Sequence, residues 1–224
     1  MQKTKLNRFI QKYNLGGNVN SVKWETSSNV LKTKFVSADK SLLGELTLDN
    51  WDGDVGNMEL GIFSTDQLQK LLNVLGDDVS LNVNDIDGKA ISLSMKNGHV
   101  SVDYVLSDTG VIGTPPGIKY VPDFTAEIKL DSNFIDSFVR GKSALSDVDS
   151  FTLLSKDNSI HCIIGYASTN TNRVNIPTTT TEGSTLENKI SFDANMFREV
   201  LVANKECLTG KLEVSNEGLA KVTF

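Results

Sequence analysis

Alternation of apolar and polar residues is clearest between residues 57 and 108, where it predicts one complete structural unit. The apolar run 58–63 leads into Ser64, whose hydroxyl can cap the free amides at the start of a helix. A leucine stripe at helical spacing follows and ends at Gly76; it consists of Leu68, Leu71, Leu72 and Leu75. Three period-two runs joined by turn-forming residues come next, at 79–83, 90–95 and 100–106. The sequence therefore predicts a strand, an amphipathic helix and then an antiparallel meander.

The same order of elements recurs along the chain. Helices are predicted to start near residues 4, 64, 131 and 193, about 60 to 67 residues apart, with Thr4, Ser64, Asp131 and Asp193 as caps. Such a period indicates four copies of one unit, arranged two and two. A segment rich in glycine and proline separates the second copy from the third. We therefore predict an α+β fold with a first domain at 1–107, a connector at 108–123 and a second domain at 124–224.

The composition is that of a globular protein without an export or membrane segment. The 224 residues are 39% apolar, enough to bury two cores, and no apolar run approaches the roughly 18 residues that span a bilayer. Cys162 and Cys207 lack the number and spacing of a disulfide framework or a zinc site, so we expect both to be buried as small apolar side chains. We expect a soluble chain that makes no contact with a membrane.

Motifs for catalysis and cofactor binding are missing from the sequence. It has no GxGxxG, P-loop, HExxH or nucleophile elbow, and it has only two histidines. One of them, His161, lies in an apolar strand pattern, where a packed or edge histidine is expected and not a catalytic one. The acidic turns 52–54 and 85–87 do not match a calcium loop; in the second, Val83 would occupy the first ligand position if Gly88 were the sixth residue. We expect no enzymatic activity, no metal and no cofactor.

Charge is segregated along the chain. The net charge is -6, yet residues 1–40 hold eight basic and two acidic residues, which leaves 14 basic and 26 acidic residues in the remainder. In the first predicted helix Lys5, Arg8 and Lys12 share one face, and the apolar residues around Phe9 share another. This stripe is either an ordinary solvated helix face or a surface for a polyanion.

Several strings of residues resemble DNA sliding clamps. They are the repeated helix-and-meander unit, the run Ser41-Leu-Leu-Gly-Glu-Leu-Thr-Leu48, the Asp103-Tyr104 pair and the apolar connector before Phe124. The clamp of large tailed phages is similar over nearly the whole chain, including Phe151-Thr-Leu-Leu154 and the strand 172–174. The resemblance implies two clamp domains, each with outer sheets and inner helices, in subunits that close head to tail into a homotrimeric ring. It also implies a non-enzymatic processivity factor that encircles duplex DNA in the cytoplasm of an infected host cell.

The resemblance further implies three sets of site residues. Non-specific contacts to double-stranded DNA would come from helix cations, namely Lys5, Arg8, Lys12, Lys70, Arg140, Lys142, Arg198 and Lys205. A groove for the replicative DNA polymerase, the clamp loader and, as a further class of partner, transcription factors would be formed by Leu42, Leu43, Val111, Ile112, Tyr120, Val121 and Phe224. The subunit interface would join a strand at 99–106 to one at 170–176, through His99, Val100, Val102, Tyr104, Leu106, Arg173, Val174 and Ile176.

Alternatives to this hypothesis remain open. The apolar connector residues could simply pin the connector to its own sheet instead of forming a groove. The run Thr178–Thr181 and the polar loop 169–175 would also suit a β-rich phage structural or surface-binding module. An amphipathic helix in every meander argues against that module. An enzyme is a third alternative, which rests only on aspartates without an assigned role.

Overall fold

The computed structural model describes residues 2–51, 55–157, 159–169 and 171–224. The protein belongs to the α+β class, because its helices accompany sheets whose neighbouring strands are all antiparallel. The chain divides into two compact units, unit 1 at residues 1–117 and unit 2 at residues 118–224. The boundary between these units falls inside the segment 108–123.

Unit 1 contains two α-helices and two sheets among its described residues. The elements, in chain order, are α1 (Lys3–Asn14), a 3-10 turn (Leu15–Gly17), β1 (Val22–Ser27), β2 (Val30–Val36), β3 (Leu43–Asp49), β4 (Met58–Ile62), α2 (Thr65–Asn73), β5 (Ser80–Ile86), β6 (Lys89–Asn97), β7 (Val100–Val105) and a 3-10 turn (Thr109–Val111). One sheet has the order β3-β2-β1-β4 and the other β5-β6-β7. Helices α1 and α2 contact each other.

Unit 2 repeats the helix pair and the four-stranded sheet of unit 1, with one strand before its first helix and two strands after its second helix. Its elements are β8 (Ala126–Leu130), α3 (Ser132–Ala144), β9 (Ser150–Lys156), β10 (Ser159–Ile164), β11 (Val174–Pro177), β12 (Ile190–Asp193), α4 (Ala194–Ala203), β13 (Gly210–Val214) and β14 (Ala220–Thr223). The sheets have the orders β11-β10-β9-β12 and β14-β13-β8. The four-stranded sheets of the two units therefore have the same connectivity, and α3 contacts α4 as α1 contacts α2. The internal repeat predicted from the sequence is present in both units.

Three of the four predicted helix caps are confirmed. The side chains of Ser64, Asp131 and Asp193 each accept a hydrogen bond from the backbone amide three residues later, at 3.3, 2.9 and 2.6 Å. The cap predicted at Thr4 is wrong, because α1 already begins at Lys3 and has no side-chain cap. The amide of Lys3 instead donates to the carbonyl of Asp77 at 2.7 Å, a residue distant in sequence. This backbone hydrogen bond satisfies one of the free amides at the start of α1, as a capping side chain would.

Element ends differ slightly from the predicted ones. Helix α2 ends at Asn73, so Leu75 is buried just beyond the helix and Gly76 lies outside it. The predicted turn at 85–88 is confirmed, with positive φ at Asp87 and Gly88. The acidic turn at 52–54 and Asn158 of the turn before β10 lie outside the described residues.

Each unit has its own aromatic core. In unit 1 the rings of Phe9 and Trp24 meet edge to face at 5.7 Å, and Tyr13 packs against both. In unit 2 Phe138 packs edge to face on Phe151 and on a ring from α4. Cys162 is fully buried in the second core, as the sequence predicts, and burial raises the pKa of its thiol, whereas the prediction is wrong for Cys207, which is only half-buried.

Candidate nucleic-acid interface

Helix α1 presents the densest group of cations in the protein. Its apolar side, which includes Leu6 and Phe9, is buried, and the helix contains no acidic residue. On the remaining surface Arg8 is exposed, while Lys5 and Lys12 are half-buried. Lys5 donates from Nζ to the carbonyl oxygen of Asn50 at 2.5 Å, whereas Arg8 forms no ion pair with any described residue. Lys5, Arg8 and Lys12 are called the α1 stripe below.

The other helices carry fewer available cations. Lys70 on α2 and Arg140 on α3 are exposed, and Nε of Arg140 donates to the Asp136 carbonyl at 3.2 Å. Arg198 on α4 is half-buried and forms an ion pair with the adjacent Glu199, which cancels its charge locally. Lys205 is exposed but lies beyond the end of α4. Among the helices of the described ranges, only α1 therefore offers several cations without an acid on the same helix.

Lys142, which was predicted to bind DNA, is buried in the structure. It is only 4% exposed, and its Nζ donates to the carbonyl oxygens of Leu145 and Ser146 at 3.4 and 2.9 Å. A lysine at a helix C-terminus can bind the last unpaired carbonyls and offset the negative end of the helix dipole. Lys142 thus closes the end of α3, and its ammonium group is not available to a phosphate.

Positive charge is concentrated in the helices. The four α-helices in the described part of the chain hold eight basic residues and three acidic ones, a net charge of +5, and the rest of the sequence holds 14 basic and 25 acidic residues. Such a distribution favours a polyanion at the helix surfaces and disfavours one at the sheets and loops.

The predicted partner-binding residues of unit 1 do not all share one environment. Val111 is exposed, but Ile112 is only 4% exposed. Its segment runs beside Gly61 of β4, where the Ser107 amide donates to the Gly61 carbonyl at 2.9 Å, and a Cβ added to Gly61 would lie 3.2 Å from Cδ1 of Ile112. Ile112 therefore packs this part of the connector against its own sheet and is not available to line a partner-binding groove.

The two leucines that were predicted to act together differ in exposure. Leu43, the first residue of β3, is exposed and pairs in register with Val36, whereas Leu42, just before the strand, is half-buried. Phe63, which directly follows β4, is also 56% exposed. Sequence reasoning assigned Phe63 no role beyond its strand, although its position next to the Ser64 cap places it at the surface.

In unit 2 the predicted partner-binding residues are all at least partly accessible. Tyr120 and Val121 are exposed, and the Tyr120 hydroxyl donates to a carboxylate oxygen of Glu217 at 3.2 Å. The Glu217 carboxylate raises the pKa of the Tyr120 hydroxyl. Phe224 is 37% exposed, and its ring lies over Gly210.

The predicted subunit-interface strands are both edge strands of their sheets, but several of the side chains proposed for contact are in the core. Tyr104, Leu106 and Ile176 are buried. The Tyr104 hydroxyl accepts from the Ser64 amide at 3.0 Å and donates to the Ser64 carbonyl at 3.2 Å, and burial raises its pKa. These three side chains are therefore corrected to core residues.

The other predicted interface side chains remain accessible. His99, Val100 and Arg173 are exposed, and Val102 and Val174 are half-buried. Asn170, at the start of the predicted interface strand, lies outside the described residues. Another chain could therefore contact β7 and β11 mainly through their backbone and through these five side chains.

No other chemistry is assembled among the described residues. They contain no group of acidic, histidine and cysteine side chains that could hold a metal ion. His161 pairs with the neighbouring Asn175 side chain, with Nδ1 and Oδ1 separated by 3.4 Å. A shallow cavity of about 230 Å³ lies beside Lys211, whose pKa is raised by hydrogen bonds to Glu213 and Glu127. Every helix in the described ranges is too short or too polar to cross a membrane.

Comparison with known proteins does not assign this chain to a family. No protein-family model matches this chain, and no curated protein sequence matches it.

Proposed function

We propose that the protein is a DNA sliding clamp of a phage, a ring-shaped processivity factor that encircles duplex DNA and tethers a replicative polymerase. The observation that supports this most directly is the combination of two units of the same connectivity with a net positive charge on their helices in a protein of net charge -6. In this proposal residues 1–107 and 124–224 are two clamp domains, and the connector 108–123 joins them.

The electrostatics suit a protein that holds DNA without reading its sequence. Phosphate contacts supply sequence-independent affinity, and they weaken as salt rises because bound counterions are released. Lysine and arginine side chains on helix surfaces can make such contacts directly or through water. The proposed activity is topological, so it requires no bond chemistry from the protein.

Ring closure is proposed to use the edges of β7 and β11. Both strands lie at the end of their sheets, so each has one edge without a partner strand among the described residues. Pairing β7 of one subunit with β11 of the next would be a head-to-tail contact, and such contacts must either close into a ring or continue as a filament. Three two-unit subunits would close a ring of six similar units.

Recruitment of the polymerase and the clamp loader is proposed to use exposed apolar residues, because an acidic surface alone gives little specificity. Val111, Tyr120, Val121 and Leu43 are exposed and large enough to anchor a partner peptide. Transcription factors are a further class of partner for the same residues. The proposed location is the cytoplasm of an infected host cell.

The decisive experiment measures assembly and topology together. Sedimentation at micromolar concentration should give the mass of a trimer of the 24.4 kDa chain. A ring can enter linear duplex DNA only over its ends, so blocking both ends with streptavidin should abolish binding that free-ended DNA of the same sequence supports. A monomer at all concentrations, or binding that is indifferent to blocked ends, contradicts the clamp.

A further inference from the structure

A shallow cavity in unit 2 lies between β8, β13 and the segment 179–181. Its volume is about 230 Å³, and its lining includes Lys129, Thr179, Thr181 and Lys211. Pockets for drug-sized ligands commonly have roughly 300–1,000 Å³. This cavity therefore has room for a single small group.

Backbone pairing fixes which side chains lie side by side at this cavity. The Lys129 amide donates to the Thr179 carbonyl at 2.8 Å. The Thr181 amide donates to the Glu127 carbonyl at 3.2 Å, so the segment runs antiparallel to β8. Directly opposite residues of an antiparallel pair have their side chains on the same face. Thr179 therefore lies beside Lys129.

On the other side of β8, the register with β13 places like charges opposite each other. Lys129 pairs with Lys211, and Glu127 pairs with Glu213. Like charges directly opposite each other destabilise a strand pair. Any group that compensates one of these charges therefore stabilises the sheet.

Four of the charges on this face compensate one another. The Lys211 ammonium lies 3.1 Å from a Glu213 oxygen and 3.2 Å from a Glu127 oxygen, and hydrogen bonds to these two glutamates raise its pKa. Lys221 lies 3.3 Å from the other Glu213 oxygen. Two lysines and two glutamates thus form a network without net charge.

Lys129 is the lysine that this network leaves uncompensated. Its exposed ammonium forms no ion pair or hydrogen bond with any described residue. The Thr179 hydroxyl is likewise without a hydrogen-bond partner in the described part of the chain, whereas the Thr181 hydroxyl lies 3.0 Å from the Ser184 hydroxyl. The cavity therefore has an ammonium and a neighbouring hydroxyl available, and both can donate hydrogen bonds.

Two adjacent donors, one of them charged, favour an anion with several acceptor oxygens. Lysine binds phosphate as a point charge, whereas the planar fork of arginine suits a bidentate carboxylate, and no arginine is among the described residues that line the cavity. Glu127 also lines the cavity, but its carboxylate lies 3.2 Å from the Lys211 ammonium. An anion is therefore expected on the Lys129 side of the cavity.

We propose that this cavity binds a phosphate group, with the Lys129 ammonium as its charge partner and the Thr179 hydroxyl as a hydrogen-bond donor. Free phosphate and a small phosphate ester both present this group. The site uses none of the helix cations of the proposed DNA interface, and it does not require a ring.

The test titrates the full chain, labelled with ¹⁵N, with inorganic phosphate while potassium chloride keeps the ionic strength constant. The amide signals of Lys129 and Thr179 should shift and saturate, with a dissociation constant of about 10 mM or lower. Binding is expected to be weak because salt screens a single cation at an exposed site. Shifts that rise linearly without saturation up to about 100 mM phosphate overturn the proposal.

Two lysine variants separate a site from a general effect of charge. Lys129→Ala should weaken phosphate binding by about tenfold or more, because it removes the uncompensated ammonium. Lys156→Ala removes an exposed lysine of β9, in the other sheet of unit 2, and changes the net charge equally. It should leave the dissociation constant within about twofold of the native value. Equal weakening in both variants, with native-like spectra, overturns the proposal.

Substitutions at Thr179 test the hydroxyl. Thr179→Val keeps the shape of the side chain and removes the donor, so it should weaken phosphate binding by about threefold or more. Thr179→Ser retains the donor and should bind phosphate as the native chain does. Native affinity in Thr179→Val contradicts the proposed hydrogen bond.

Three further ligands identify the chemistry that is recognised. Adenosine monophosphate that binds more tightly than phosphate, and loses affinity in Lys129→Ala, identifies a phosphate ester as the ligand, whereas equal or weaker binding identifies free phosphate. Adenosine should leave the two amide signals unchanged, and acetate should bind more weakly than phosphate. If adenosine or acetate binds as well as phosphate, the cavity recognises a base or a carboxylate and the proposal is wrong.

Discussion

Neutralising the α1 stripe tests which surface binds DNA. Replacing Lys5, Arg8 and Lys12 together by alanine removes three cations from a helix that has no acidic residue, and alanine preserves helix propensity. Each phosphate contact contributes about 0.9 to the slope of log affinity against log salt. If all three residues bind phosphate, their removal lowers the steepness of log affinity against log salt by about 2.7 for each subunit that contacts the DNA. Raising the salt fourfold, from 50 to 200 mM, should then weaken DNA binding by the native chain about 40-fold more than binding by the variant.

The assay is fluorescence anisotropy of a labelled duplex titrated at several KCl concentrations. The matched control replaces Lys32, Lys34 and Lys96, three exposed lysines on strands of the same unit, by alanine. It changes the net charge by the same amount, so a purely global charge effect would alter both variants equally. Thermal unfolding of both variants checks that the lost hydrogen bond from Lys5 to Asn50 has not disturbed the fold.

Two results would refute the reasoning. An α1 variant with the native salt slope would remove the stripe from the DNA site. Equal flattening of the slope in both triple variants would show that net charge, and not the position of the helix cations, determines binding.

Three further predictions concern stability and follow from individual contacts. Asp131→Ala should lower the free energy of unfolding in urea by about 1 kcal/mol because it removes the α3 cap, whereas Thr4→Ala should change it little because Thr4 caps no helix. Gly61→Ala should cost about 1–3 kcal/mol because its Cβ would lie 2.2 Å from a backbone oxygen, while Gly113→Ala, with open space around it, serves as control. Burial raises the pKa of Glu213, but hydrogen bonds from two lysines outweigh it and hold the pKa below its usual value. Its stabilising effect is therefore fully present above the ordinary carboxyl pKa of about 4.3 and is lost as the pH falls through the lower pKa of the folded state, so Glu213→Gln should reduce the urea midpoint at pH 7 and this difference should shrink as the pH is lowered.

The elements of the fold could be predicted because local patterns determine them. Strands with period-two alternation and helices opened by Ser64, Asp131 and Asp193 depend on residues close together in sequence. The start of α1 could not be predicted in the same way, because the amide of Lys3 is bound by Asp77, more than 70 residues away. Contacts of that kind leave no local pattern.

The candidate site was less predictable because it depends on the direction of single side chains. Tyr104 and Leu106 are two residues apart and so share one face of an extended chain, a period-two pattern that itself indicates a core-facing side, yet the resemblance assigned them to an interface. Lys142 sits at a helix end, where a flexible side chain can turn either to solvent or back to the last carbonyls, and only the folded structure distinguishes these directions.

The two units share the connectivity of their four-stranded sheets, but their helices differ in the number of exposed cations. Among the helix cations of unit 2, Lys142 is buried and Arg198 is paired, which leaves Arg140 as the exposed one, whereas unit 1 retains the α1 stripe and Lys70. In the trimer that we propose, DNA would therefore meet three strongly cationic helix pairs alternating with three weakly cationic ones. Phosphate contact would then repeat three times around the ring, even though the scaffold repeats six times, and neutralising Arg140 alone should flatten the salt slope much less than neutralising the α1 stripe.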